Sequence, residues 1–268
     1  MIRRYALLLC LALSACHDAP PSAAAPAAAE PAASLTVEGS ALVLTMPGGK
    51  QLRGTELVGA TIHLAFEGKT VPMKLAAITP DPDDPEILRH DFQVPDGQGG
   101  WNPACQPNAY GERWGFPVAL PEGHPGREGD ITMTCASGAV GKCARFGYKP
   151  WAKGPKGEDL VPLHAACVRM VRADYCGDGA AHTKNGTEID MYDELGIQKM
   201  ASQNNPAFAF EAGWTPQGAA CVSHTRWSDV VTLNQLKDQC PRLANLPACD
   251  ETYARAAGAQ LFNRSKLQ

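Results

Sequence analysis

The stretch that decides the fold runs from residue 161 to residue 179 and reads V-P-L-H-A-A-C-V-R-M-V-R-A-D-Y-C-G-D-G. Pro162 stands near its start and Gly177 near its end, the usual punctuation of a helix. The pattern predicts a helix from Val161 to Tyr175. Its inward-facing positions recur at helical spacing: Leu163, Cys167, Met170, Val171 and Asp174.

Cysteine usage indicates an oxidising compartment. The chain has ten cysteines, of which Cys10 and Cys16 lie near its start. The other eight are the disulfide candidates Cys105, Cys135, Cys143, Cys167, Cys176, Cys221, Cys240 and Cys249. An even number favours disulfides, so we predict four bridges. Structural zinc sites usually draw on close pairs such as C-x-x-C, and the shortest gap here has seven intervening residues. We expect no metal site and no cofactor.

The predicted helix constrains the pairing of these cysteines. At 1.5 Å per residue, Cys167 and Cys176 lie about 13 Å apart, whereas the Cα atoms of a disulfide lie within about 7 Å. Each must therefore pair elsewhere. Two local pairs are hypotheses: Cys135 with Cys143 across a turn, and Cys240 with Cys249 around a short helix.

The first residues predict a lipoprotein signal peptide at 1–15. Two arginines precede an apolar run that is too short to cross a bilayer. The run ends in L-S-A-C at residues 13–16, which matches the bacterial lipobox, so Cys16 is the expected lipidation site. The membrane is then a partner through the acylated Cys16, and several acyl chains on one cysteine anchor firmly.

The next residues predict a flexible tether. Residues 16–34 are nearly all Ala and Pro, which form neither a stable helix nor a core. His17 follows Cys16, so the aspartate that retains lipoproteins at the inner membrane is absent. We therefore expect delivery to the outer membrane, facing the periplasm or the cell surface.

The body of the chain predicts an α+β fold. Apolar and polar residues alternate between 35 and 95 with turn residues between the runs, as in a small antiparallel β subdomain. Residues 97–250 are rich in Gly, Pro, Trp and Cys and predict a disulfide-rich mixed α/β domain. Residues 251–268 are expected to form a C-terminal helix.

Residues 170–179, M-V-R-A-D-Y-C-G-D-G, resemble the hallmark of the bacterial ADYC-domain family. Supporting motifs occur in the family's order: C-x-x-G-A-x-G-K-C at 135–143, G-Y-K-P-W at 147–151, G-T-x-I-D at 186–190 and E-A-x-W-T-P-x-G-A-x-C at 211–221. The resemblance covers residues 97 to 249 and implies no catalytic residue.

One segment is dense in oxygen side chains. It runs from Asp174 to Glu194 and includes Asp190 and His182, which suit an acid/base pair. A Ca²⁺ loop is a second interpretation, although the EF-hand spacing is missing. The third is structural, with Asx turns and helix caps around the glycines. Asp174, His182 and Asp190 are the catalytic candidates.

Aromatic residues offer a further candidate site. Tyr148, Trp151 and Trp214 are the binding candidates for stacking against a glycan, while core packing is the competing interpretation for each of them.

Three functions remain open at the level of sequence. The favoured one is a binding or interaction module for an envelope protein or a glycan, because the tether and the bridges suit presentation. The alternatives are an envelope hydrolase of glycan or peptide, built on the Asp174–Asp190 region, and a structural envelope component. Nucleic-acid binding is excluded because the net charge of −4 is spread along the chain and no basic stripe occurs.

Overall fold

The computed structural model describes residues 33–66, 69–108 and 110–268, and in them antiparallel sheets combine with helices. The predicted α+β class is confirmed. The predicted signal peptide, the lipidated Cys16 and the tether as far as residue 32 lie outside the described residues. The last tether position, Ser34, already belongs to the first strand.

The first sheet is a meander of three short strands. They are β1 (Ser34–Glu38), β2 (Ala41–Thr45) and β3 (Gln51–Arg53), paired in that order, and a 3-10 helix follows (Gly54–Leu57). Gly39 turns the chain between β1 and β2 at a φ of 62°, a conformation that glycine adopts without strain. Leu42 on β2 is fully buried and packs this sheet against the core.

The second sheet is larger. It comprises β4 (Thr61–Phe66), β5 (Lys69–Pro80), β6 (Leu88–Pro95), β7 (Trp101–Pro103), β8 (Gly115–Val118) and β9 (Thr132–Cys135). The strand order is β4-β5-β6-β8-β9, with β7 also paired to β6. Period-2 alternation places Met73 and Leu75 of β5 inward, where they pack with Phe92 of β6. The Cys105–Cys135 disulfide closes the end of this sheet.

Two helices lie beyond β9. They are α1 (Ala139–Arg145) and α2 (Val161–Arg172), and the Cys143–Cys167 disulfide joins them with Cα atoms 5.7 Å apart. The predicted helix exists but ends three residues early. The reason is Ala173, whose φ of 50° lies in the left-handed region that terminates helices.

The third sheet holds the C-terminal half. It contains β10 (Ile189–Asp193), β11 (Phe208–Thr215), β12 (Gly218–Val222) and β13 (Leu261–Lys266) in the order β10-β13-β11-β12. Three short helices, α3 (Leu233–Gln239), α4 (Pro241–Ala244) and α5 (Glu251–Ala256), connect β12 to β13. Helix α2 packs against β11, β12 and β13.

The predicted C-terminal helix at 251–268 is wrong beyond residue 256. Residues 261–266 form β13 instead, because they satisfy their backbone groups between β10 and β11. Leu261, Phe262 and Asn263 are consecutive buried residues, which one face of a helix does not accommodate.

The disulfides connect elements that are distant in the chain. The third pair is Cys221–Cys249, with Cα atoms 5.5 Å apart. Both predicted local pairs, Cys135–Cys143 and Cys240–Cys249, are therefore wrong: Cys135 ends a strand that faces Cys105, and Cys240 turns into the core. The prediction of four bridges is also wrong: the described residues contain three, and the candidates Cys176 and Cys240 are thiols. The exclusion of a Cys167–Cys176 pair is confirmed.

The described residues form one compact unit around the layer between α2 and the third sheet. Its central side chains are Tyr148, Leu163, Met170, Tyr175 and Trp214. None of the helices in the described ranges has both the length and the apolarity that a membrane span requires.

Candidate functional site

The turn at residues 173–179 is organised by one carboxylate. Asp174 accepts the N–H groups of Gly177 (Oδ1, 2.9 Å) and Gly179 (Oδ2, 3.1 Å), and it is paired with Arg169 on α2. Asp174 is 1% exposed. Its oxygens are thus occupied in shaping the turn, which matches the Asx-turn interpretation of this residue.

Tyr175 leads from the turn into a buried ionic network. Its hydroxyl donates to Glu211 Oε1 (3.0 Å) and accepts the backbone N–H of Arg226 (2.8 Å). Arg226 donates from Nε and Nη2 to the two oxygens of Glu211, at 3.1 and 2.9 Å. Asn263 completes the set by donating to Glu211 Oε2 at 2.8 Å.

This network keeps a charge deep in the core. Burial alone raises the pKa of Glu211, but the charge of Arg226 and the hydrogen bonds from its neighbours hold that pKa below its ordinary value. Arg226 also donates to the carbonyls of Met170 and Val171 at the end of α2. Glu211 and Arg226 therefore fasten α2 to the third sheet.

The predicted aromatic platform is wrong for two of its three members. Tyr148 and Trp214 are both 0% exposed. Trp214 stacks on Tyr175 with ring centroids 5.4 Å apart and donates to Asn263, so it fills the core. Trp151 is half-buried, with its edge against Phe116 and with Gly39 close to its ring.

The remaining catalytic candidates also have structural partners. Asp190 accepts the N–H groups of Ala201 and Ser202 and the hydroxyl of Ser202. His182 bonds through Nδ1 to the carbonyl of Ala173 at 3.1 Å. No hydrogen bond joins Asp174, His182 and Asp190 to one another within the described residues. The described ranges also contain no group of three His, Cys, Asp or Glu residues placed to hold a metal ion.

An open cavity lies where α1, the end of α2 and the loop at residues 181–187 meet. It has a volume of about 420 Å³, and four of its lining residues are cations: Lys142, Arg172, Lys184 and Arg226. None of its described lining residues is acidic. We call this cavity the basic groove. Its other lining residues are Ser137, Gly138, Ala139, Phe146, Val171, Ala181, Thr183, Asn185, Gly186, Thr187 and Ile189.

The four cations of the basic groove are unequally neutralised. Arg226 is paired with Glu211 in the core, and Lys184 is paired with Asp229 at the rim (2.6 Å). Lys142 and Arg172 form no ion pair with any described residue. Arg172 donates one hydrogen bond, from Nη2 to the carbonyl of Gly179 (2.5 Å). Two uncompensated positive charges therefore face the groove.

The loop at residues 181–187 is fixed at both ends. The N–H of His182 donates to the carbonyl of Arg172 at 3.0 Å, and Trp227 Nε1 donates to Thr187 Oγ1 at 2.8 Å. Lys184 Nζ stands 3.8 Å above the ring of Trp227. This wall of the basic groove is therefore held in place before any ligand arrives.

A second cavity of about 230 Å³ adjoins the basic groove and shares Gly186, Thr187 and Arg226 with it. It adds the half-buried Trp227 to the lining, together with Lys266 and Glu188, which form an ion pair. An aromatic ring beside several cations is a surface that suits a sugar carrying negative charge.

Two histidines form a buried pair that sequence patterns do not reveal. Gly126 N–H donates to His124 Nδ1 (3.0 Å), so His124 carries its proton on Nε2 and donates it to His164 Nδ1 (3.0 Å). His164 then donates from Nε2 to the carbonyl of Val140 (3.1 Å). Both rings are neutral: burial lowers the pKa of His124 to about 4 and that of His164 to about 3.

The fold and the turn define a disulfide-stabilised α+β domain whose hallmark is the A-D-Y-C segment at 173–176. The family model described as ADYC domain matches residues 54–228, which is more than half of the chain. The chain belongs to the ADYC-domain family, as its motifs indicated. Comparisons with curated proteins and with solved structures found no match.

Proposed function

We propose that this protein is an exported, lipid-anchored binding module whose basic groove takes an anionic glycan, that is, a sugar carrying phosphate or carboxylate groups. The observation that carries the proposal is the pair of uncompensated cations, Lys142 and Arg172, at a cavity of about 420 Å³. Charge-assisted hydrogen bonds to anions are the strongest that such side chains form.

The sign of the charge in the basic groove is opposite to the net charge of the whole chain. The chain has a formal net charge of −4, yet the described lining of this cavity contains only cations among its charged residues. A local positive potential on a negative molecule attracts an anion to one place rather than to the whole surface. Trp227, which lines the adjoining cavity, places an aromatic ring beside the groove.

Export and lipid anchoring are inferred from other features. The lipobox ending at Cys16 supports acylation, and the three disulfides support an oxidising compartment such as the periplasm. The tether at residues 16–34 then holds the groove away from the outer membrane, within reach of envelope glycans.

Binding to the basic groove is tested with the unacylated mature chain, residues 16–268 with Cys16→Ser. Calorimetry measures its Kd for a glucuronate-containing oligosaccharide, for a sugar phosphate and for a neutral oligosaccharide of equal length. We expect binding of at least one anionic probe and none of the neutral one. The double variant Lys142→Glu with Arg172→Glu is expected to raise that Kd by at least about 100-fold. Each charged hydrogen bond contributes about 1.5–3 kcal/mol, and the double variant removes two of them.

The matched control reverses the same number of charges elsewhere. Lys50 and Lys156 are exposed lysines that are not among the groove-lining residues, so Lys50→Glu with Lys156→Glu is expected to leave the Kd within about twofold at about 150 mM salt. Equal weakening by both double variants shows a diffuse charge effect and contradicts the groove. Failure of every anionic probe to bind contradicts the proposed ligand class.

A further inference from the structure

Two of the eight body cysteines remain thiols beside each other. Cys176 belongs to the 173–179 turn, and Cys240 lies between α3 and α4. Cys240 is buried in the main core cluster, and the partly buried Cys176 packs against the same cluster. The other six cysteines form three disulfides.

The backbones on either side of this thiol pair are held together. Arg242 follows Cys240 by two residues, and it donates from Nε to the carbonyl of Cys176 (3.1 Å) and from Nη1 to that of Ala219 (2.6 Å). On the other side, Gly177 packs so closely that a Cβ there would lie 1.8 Å from the carbonyl oxygen of Gln217. These contacts hold the turn that carries Cys176 beside the start of α4.

We propose that Cys176 and Cys240 are a dithiol site that a disulfide oxidant converts into a fourth bridge, which locks the 173–179 turn to helix α4. The Cys176 thiolate attacks one sulfur of the oxidant, and a mixed disulfide forms as the first oxidant thiolate leaves. The Cys240 thiolate then attacks Cys176 Sγ and releases the second. Two protons leave the protein thiols and two electrons reduce the oxidant disulfide to two thiols.

Exposure sets the order of the two steps. Cys176 is half-buried and accessible to a small oxidant, whereas Cys240 is only 3% exposed. Burial, together with the neighbouring Cys240 thiol, raises the pKa of Cys176 to about 12, so its thiolate fraction at neutral pH is small. Exchange at this site is therefore slow, because the thiolate is the attacking species.

The test counts thiols in the purified mature protein. The protein is first treated with a limited amount of dithiothreitol, then incubated with or without excess oxidised glutathione, and finally unfolded in N-ethylmaleimide. Intact mass and peptide mapping follow. We expect two maleimide labels, on Cys176 and Cys240, without oxidant and none after it, together with a peptide cross-linked between these residues. Two labels that persist in excess oxidant overturn the proposal, as does a cross-link from either residue to another cysteine.

Single variants test the order of attack. Cys240→Ser leaves Cys176 without a resolving thiol, so it accumulates one glutathione adduct. Cys176→Ser leaves only the buried Cys240, and its adduct forms at least tenfold more slowly. Equal rates for the two variants, with both folded by circular dichroism, overturn the assignment of Cys176 as the attacking thiol.

Discussion

Each residue of the A-D-Y-C segment has its own physical task. Ala173 adopts the left-handed conformation that ends α2, and Asp174 binds the backbone of the turn. Tyr175 extends from this turn into the core, where it contacts Glu211 and Arg226. Cys176 faces Cys240. The motif thus connects the end of α2 to a buried ion pair and to a pair of thiols.

The Tyr175 hydroxyl is expected to contribute to stability through two hydrogen bonds. Tyr175→Phe leaves the N–H of Arg226 and one oxygen of Glu211 without this partner, and buried polar groups that lose a partner cost about 1–3 kcal/mol. We expect the free energy of unfolding in urea to fall by that amount.

Tyr110 provides the control for this substitution, since it is 83% exposed. Tyr110→Phe removes the same atom and is expected to change the free energy of unfolding by less than about 0.5 kcal/mol. If Tyr175→Phe proves equally silent, the network around Glu211 does not depend on this hydroxyl.

At the scale of elements, the histidine pair connects three parts of the chain. His124 lies in the loop before β9, His164 lies on α2, and the carbonyl they reach belongs to Val140 on α1. A proton added to either ring removes an acceptor on which the chain of hydrogen bonds depends. The contact between these elements therefore requires neutral imidazoles.

Stability is expected to fall in mild acid because of these histidines. In the unfolded chain they titrate near pH 6.5, whereas folding lowers the pKa values to about 4 for His124 and about 3 for His164. As the pH falls below about 6.5, the unfolded chain takes up protons that the folded chain refuses. Each histidine then costs up to about 1.4 kcal/mol per pH unit until its folded pKa is reached.

Urea unfolding at pH 7, 6 and 5 measures this effect. His124→Gln is expected to lower stability at pH 7 and to flatten the dependence on pH, while His63→Gln, at an exposed position, changes neither. His90 is also buried with a pKa lowered to about 4, so some slope remains in the variant. An unchanged slope in His124→Gln contradicts the role of the pair.

Some elements were predictable from local sequence and others were not. Helix α2 was predictable from the helical spacing of its apolar residues and from the Pro and Gly residues near its ends. Its actual end depends on Ala173, a residue type that favours helix in isolation. Strand β13 was missed because Leu261 and Phe262 are buried by strands far away in the chain. Tertiary packing decided both outcomes.

The candidate site was even less accessible to sequence reasoning. Lys142 and Arg172 stand in separate motifs, and only the packing of α1 beside α2 brings them to one cavity. Two of the aromatic candidates, Tyr148 and Trp214, were wrongly assigned to a binding surface, because their large side chains fill the core. The even number of cysteines indicated disulfides, but pairing is set by the fold and not by spacing.

At the scale of the whole molecule, attachment to the membrane is expected to depend on one residue. If Cys16 accepts the lipid, as proposed, Cys16→Ser removes the acceptor thiol, so its mass lacks the acyl groups and the cleaved variant moves from the membrane fraction to the soluble fraction. Cys10→Ser, a change at the other early cysteine, leaves the protein with the membranes. Sedimentation of the cleaved, unacylated Cys16→Ser variant with the membranes contradicts lipid anchoring.

Strand β13 also affects the order in which the molecule takes shape. It lies between β10 and β11, which precede it in the chain by about 50 to 70 residues. Until residues 261–266 are available, β10 has no strand partner in this sheet, and β11 has only its hairpin partner β12. Such distant pairing slows folding. If the chain is exported in an unfolded state, this sheet stays incomplete until its last strand has crossed the membrane. During that interval chaperones and proteases compete for the unfolded chain.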